Sequence, residues 1–149
     1  LVMGAAHGEV DDEIRKAKRH DAAIYATVAY SIHRNVGVAF CGDEHSSDLL
    51  IIVDGVSRNV CAKLGHSTKD KDVFTATFRK IQIKESTTVV VFDEITKDFV
   101  VKTIFLEIPN ELWQGDGAKA NGNEVTLTLT RKGNAVYGAN GIKLHNFLR

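Results

Sequence analysis

The sequence predicts an α+β fold in which a long N-terminal helix packs on a mainly antiparallel β-sheet. Three observations lead there. Val10, Ile14, Ala17, Ile24, Val28 and Ile32 recur at steps of three, four or seven residues, which places them on one side of a helix. The rest of the chain is made of short runs rich in Val, Ile, Phe and Thr, the residues that suit a pleated surface. The connections between those runs are short enough to join antiparallel neighbours.

At 149 residues the chain fits a single domain, expected to span residues 1–149, and a chain of this length can bury a sizeable core without staples. Apolar residues make up 44% and charged residues 26%, an ordinary balance for a globular protein. The 19 basic and 19 acidic side chains cancel, so net charge gives no support to nucleic acid binding. The basic run from Arg15 to His20 reads as a solvated helix face. No apolar run approaches the ~20 residues of a membrane span, and the chain as given is expected to be soluble.

Taken in order, the helix is expected from Glu9 to Arg34, with Glu9, Asp11, Asp12 and Glu13 favouring its N-terminal dipole and Asn35 and Gly37 stopping it. Its second half, from Ala22 to Tyr30, is the part expected to be buried. Val36–Cys41 and Asp48–Asp54 then read as a strand pair around a polar loop. Ser57 suits the cap of a short helix, Arg58–Leu64, ended by Gly65. Val73–Lys84, Thr87–Asp93 and Asp98–Ile108 read as three longer strands in a meander. Pro109 ends that run, and Trp113–Asn123 is a loop bearing Gly and Asn. Val125, Leu127 and Leu129 alternate with Thr126, Thr128 and Thr130, the signature of a half-buried strand. Turns at Lys132–Asn134 and Gly138–Gly141 separate the last short strands.

The residues that carry chemistry are few. Cys41 and Cys61 are candidates for one disulfide, which would close a loop of about 20 residues and contribute ~3 kcal/mol. With His45 and His66 the same cysteines form a weak candidate metal set, the ligand types of structural zinc. A cysteine nucleophile activated by His33, His45 or His66 is the enzymatic version. Asp43, Glu44 and His45 read as a solvated turn. Gly115, Gly117 and Gly122 lack the order of a phosphate-binding loop, so no cofactor is expected. Trp113 is either a core anchor or, with Gln114, Asp116 and Asn121, an exposed binding surface.

Two segments and the layout give a resemblance. Gly55–Leu64 looks like the stretch of type IVb pilins in which a Gly-Val turn leads into a helix with a cysteine. Thr128–His145 is similar to the closing hairpin of minor pseudopilins. The chain thus resembles the ectodomain of a type IV pilin-like protein whose hydrophobic N-terminal half is missing. That resemblance implies a non-catalytic minor pilin or pseudopilin of a pilus, secretion or DNA-uptake filament, periplasmic or extracellular. Its partners would be other filament subunits and a host surface or secreted substrate, with the membrane reached only through the missing segment. A carbohydrate- or protein-binding β domain using the Trp113 loop is the alternative, and a small cytosolic Cys/His enzyme comes third.

Overall fold

The computed structural model describes residues 21–42, 45–95 and 101–148. A helical stretch, α1, covers residues 21–32. The strands follow as β1 (Gly37–Phe40), β2 (Leu49–Val53), β3 (Val56–Leu64), β4 (His66–Ser67), β5 (Val73–Arg79), β6 (Thr87–Ile95), β7 (Val101–Glu107), β8 (Ala118–Asn121), β9 (Glu124–Lys132), β10 (Ala135–Tyr137) and β11 (His145–Asn146). A one-turn helix, α2 (Lys80–Glu85), joins β5 to β6, and a 3-10 turn, Asn110–Gln114, follows β7.

These strands form two sheets. The first is six-stranded in the order β1-β2-β3-β6-β7-β11. Its central pair, β3 with β6, is parallel, running from Val60 opposite Thr87 to Leu64 opposite Val91. A parallel pair needs a long crossover, and this one leaves the sheet, builds β4 and β5 of the second sheet, and returns through α2. The second sheet has the order β10-β9-β5-β4, with β8 also on β9.

The twofold side-chain period of a strand explains how the first sheet feeds two cores. On one face Val60, Ala62, Val89, Val91 and Phe105 pack with Leu49, Ile51, Phe147 and Ala23 of α1. On the other, Cys61, Val90, Phe92 and Leu106 meet Ala76, Phe78, Leu127 and Leu129 of the second sheet. The layers are therefore helix, sheet and sheet.

The face of α1 turned to the sheet is made of small residues. Ala23, Thr27 and Ser31, one turn apart, are fully buried, so the helix backbone can lie close to the strands. The Thr27 and Ser31 hydroxyls donate to the carbonyls of Ala23 and Thr27, each at 2.8 Å, leaving no polar group unpaired. Tyr30 stacks on Phe105 with centroids 4.2 Å apart and donates its hydroxyl to the Phe147 carbonyl. Arg34 lies 3.5 Å over the Tyr30 ring.

Several expectations are corrected here. The protein is mostly β, and the described helical stretch at the N-terminal side has twelve residues, 21–32, rather than a long helix packed on one antiparallel sheet. Residues 9–20 of the expected helix, with the basic run, lie outside the described residues. The expected stripe is offset by one residue: Ala23, Thr27 and Ser31 are buried, whereas Ile32 is 59% exposed. Arg58–Leu64 is not a helix but most of β3, because it lies between β2 and β6 and both neighbours supply its backbone partners. The three-strand meander is corrected too. Val73–Lys84 splits at Arg79 into β5 and α2, and β5 pairs with β9 in the other sheet, leaving β6 and β7 as the hairpin. The pairing of β1 with β2, and of β9 with β10 across Gly133-Asn134, agrees with the sequence pattern.

Candidate active site

The short stretch leading into β2 is held from several sides. The Gln82 side-chain amide, itself buried, donates to the Ser46 carbonyl at 3.3 Å and accepts the Arg79 backbone amide at 2.9 Å. Ser46 donates its hydroxyl to Glu85 at 2.8 Å, and the hydroxyls of Ser47 and Ser86 are hydrogen-bonded to each other. The Cys61 thiol donates to the Ser46 carbonyl at 3.3 Å and reaches the Ser86 hydroxyl at 3.5 Å. One turn of helix, α2, thereby fixes the entry to β2.

Asp48 is the next residue. Its amide donates to the Val60 carbonyl at 3.1 Å, and its carbonyl accepts the Cys41 amide at 3.0 Å. Its carboxylate accepts the Ala62 amide at 3.1 Å, across the β2–β3 pair. Lys63 follows on β3. Both side chains line one open cleft of about 970 Å³, together with Asp21, His45, Arg79 and Glu124. Acidic and basic groups thus share the wall. Arg79 also belongs to an adjoining groove of about 410 Å³, where Lys80, Lys84 and Asn123 accompany it.

The cleft gathers three of the residues singled out in the sequence. Cys41, half-buried, lines it with exposed His45 and His66, while Cys61 is buried. Both cysteines are free thiols, so the candidate disulfide is not made in this structure. Among the described residues no three His, Cys, Asp or Glu side chains converge on a point that could hold a metal ion. Cys41, His45, Cys61 and His66 therefore do not assemble a zinc ligand set. Burial pushes both thiols up from their ordinary pKa, and the Asp48 charge adds to it. A raised pKa keeps a thiol protonated, the opposite of an activated nucleophile, which corrects the Cys/His enzyme. His33 is exposed and does not line the cleft, and residues 43 and 44 lie outside the described residues.

At Trp113 the structure shows the core-anchor alternative. Trp113 is half-buried, donates its indole N–H to Thr88 at 3.0 Å and meets Phe78 edge-on at 5.5 Å. With the ring committed to the core, Gln114, Asp116 and Asn121 are exposed residues beside a structural anchor, and none lines the cleft.

No family model matches the chain, and no curated protein matches it. A solved structure to which it is similar is the bacterial homing endonuclease I-Ssp6803I. The TM-score is 0.49 at 18% identity, over 77% of this chain and 76% of that one. A likeness of that size fixes neither fold nor activity. The two-sheet architecture, with its parallel central pair, is not the long helix on one antiparallel sheet that the pilin resemblance implied. The reading as a non-catalytic filament subunit, with its secretion and adhesion roles and filament partners, is accordingly corrected. Net charge gives no indication of nucleic acid, but a whole-chain sum also hides the local grouping of Arg79, Lys80 and Lys84.

Asp48, Lys63, Arg79 and Gln82 escaped the sequence reading. A signal existed for two of them: Asp48 stands just before an apolar strand, and Lys63 interrupts one.

Proposed function

We propose that the protein is a hydrolase of phosphodiester bonds in nucleic acid, acting in the cleft that holds Asp48 and Lys63. The observation that carries this reading is the hydrogen bond from the Ala62 amide to the Asp48 carboxylate, which sets that carboxylate beside the residue before Lys63, both lining one open, polar cleft. A groove that only bound anions would have little use for carboxylates in its wall. A phosphodiesterase uses both signs.

Magnesium suits such a wall, because it takes one or two protein carboxylates and completes its shell with water and phosphate oxygens. Asp48 would hold the ion, with water and phosphate oxygens making up the rest of its shell. Lys63 offsets the charge that builds on the phosphoryl oxygens as water adds to phosphorus and the ester oxygen leaves. Arg79 grips a neighbouring phosphate through its planar fork, and Lys80 and Lys84 extend the cationic path beyond the cleft.

The test uses end-labelled single- and double-stranded DNA and RNA with Mg²⁺ or with EDTA. Cleavage is expected with Mg²⁺ alone. Asp48→Asn and Lys63→Ala are expected to lose about a hundredfold or more in rate while keeping the wild-type melting profile. Absence of Mg²⁺-dependent cleavage by the wild-type chain overturns the reading, as does undiminished cleavage by the two variants.

A further inference from the structure

We infer that Tyr25 and Phe40 form a stacking platform for an unpaired base, so that the cleft takes its nucleic acid as a single or locally opened strand. This inference rests on the phosphodiesterase reading and adds to it the form of the substrate.

The two rings come from different elements, α1 and β1, yet their centroids are 5.7 Å apart at an interplanar angle of 60°. Both line the cleft that holds Asp48 and Lys63. Both are also open to solvent, Tyr25 at 62% and Phe40 at 59%. The other large hydrophobics exposed among the described residues, Ile32, Ile52, Val56 and Ile81, are all aliphatic. The exposed aromatic surface is therefore concentrated at the candidate site.

Register ties the platform to the chemistry. Phe40 pairs with Leu49, the residue after Asp48, and the Cys41 amide donates to the Asp48 carbonyl at 3.0 Å. The Phe40 backbone is thus one strand spacing, about 4.8 Å, from β2, which begins at the residue after Asp48. A base on these rings holds its own phosphate near the carboxylate and Lys63. Aromatic faces accept any base without reading its edge. They also accept sugars and apolar peptide groups, and it is the phosphodiesterase reading, with Lys63 and Arg79 in the same cleft to meet phosphates, that makes the ligand a nucleotide strand. A paired base keeps its faces against its neighbours, so only an unstacked one can use the platform.

The experiment measures binding in EDTA, where no cleavage occurs, to a single-stranded oligonucleotide carrying 2-aminopurine and to a duplex of the same sequence. Wild-type protein is expected to quench the probe in the single strand and to bind that strand more tightly than the duplex. Tyr25→Leu and Phe40→Leu are each expected to weaken single-strand binding about five- to a hundredfold and to abolish the quench, with duplex affinity changed less than about threefold. Tyr25→Phe, which keeps the ring, is expected to retain both. Equal single-strand affinity in wild type and the leucine variants overturns the platform, as does a loss that falls equally on strand and duplex. The two readings fail separately. Quenching without Mg²⁺-dependent cleavage leaves the platform and removes the hydrolase, whereas cleavage untouched by the leucine variants does the reverse.

Discussion

The carboxylate of Asp48 accepts the backbone amide of Ala62 at 3.1 Å, so a group at the candidate site also clamps β2 to β3. The two roles separate by substitution. Asp48→Asn keeps an oxygen that can accept the amide but loses the charge, and should leave stability near wild type while removing cleavage. Asp48→Ala leaves a partly buried N–H without its side-chain partner, which costs about 1–3 kcal/mol. Urea denaturation of both variants checks this, and equal stabilities would show that the clamp contributes nothing.

Gln82 should be a larger structural contributor than any polar residue around it. Its side chain is 2% exposed and spends both ends of its amide, one on Ser46 and one on Arg79. Gln82→Ala is expected to lose about 2–4 kcal/mol, from the cavity and the abandoned partners together. The loss should appear in the denaturation midpoint, and the Ser46–Asp48 amides should exchange hydrogen faster in the variant. Unchanged exchange there would remove α2 from the support of the site.

Gly138 has no room for a side chain. A Cβ at that position would fall 2.5 Å from one Leu112 methyl and 2.6 Å from the other. Leu112 is 1% exposed, so it cannot swing away. Gly138→Ala is expected to destabilise the fold by about 1–3 kcal/mol through overpacking. On a Leu112→Ala background the same change should cost much less, and a double-mutant cycle measures the difference. Strict additivity would contradict the contact.

The Cys61 thiol gives stability an alkaline slope. Burial raises its pKa, the Ser86 hydrogen bond opposes the rise and the Asp48 charge adds to it. In the unfolded chain the thiol ionises at its ordinary, lower value. Its contribution is therefore fully present below that value and is lost as pH climbs through the folded one. Denaturation midpoints taken from neutral pH upward should fall less steeply in Cys61→Ala than in wild type. Parallel slopes would assign the decline to other groups.

What the sequence made legible follows from how many faces each element buries. β9 was readable because one face is core, at Leu127 and Leu129, and the other carries threonines, which is a pattern of period two. β3 was not. Val60, Cys61 and Ala62 are buried in succession because its two faces serve different cores, so no alternation remains, while Ser57 and Gly65 imitate helix ends. α2 is a single turn, too short to show a helical period, and its Ile-Gln-Ile-Lys run alternates as a strand would. The small-residue face of α1 was hidden for another reason, since apolar scoring follows isoleucine and valine and passes over Ala23, Thr27 and Ser31.

The candidate site was the least legible part. Cys41, His45 and His66 do share the cleft, but the pair on which the proposed chemistry rests, Asp48 and Lys63, is separated along the chain by the β2–β3 hairpin. Nothing in linear spacing marks them. Only the register of two strands does, and that register is set by the Asp54-Gly55 turn, where both residues take the left-handed conformation at φ of 51° and 78°.

The crossover between β3 and β6 gives the cleft an order of assembly. Arg79 and Gln82 stand at the far end of a chain segment that must first lay down β4 and β5, and β5 is completed only by β9, fifty residues or so downstream. A chain that had formed only its β1-β2-β3 hairpins would possess Asp48 and Lys63 but neither the arginine nor the glutamine that steadies the loop before them. If the cleft works as proposed, its competence is therefore a late property of folding, and a nascent or partly opened molecule would be an inert one.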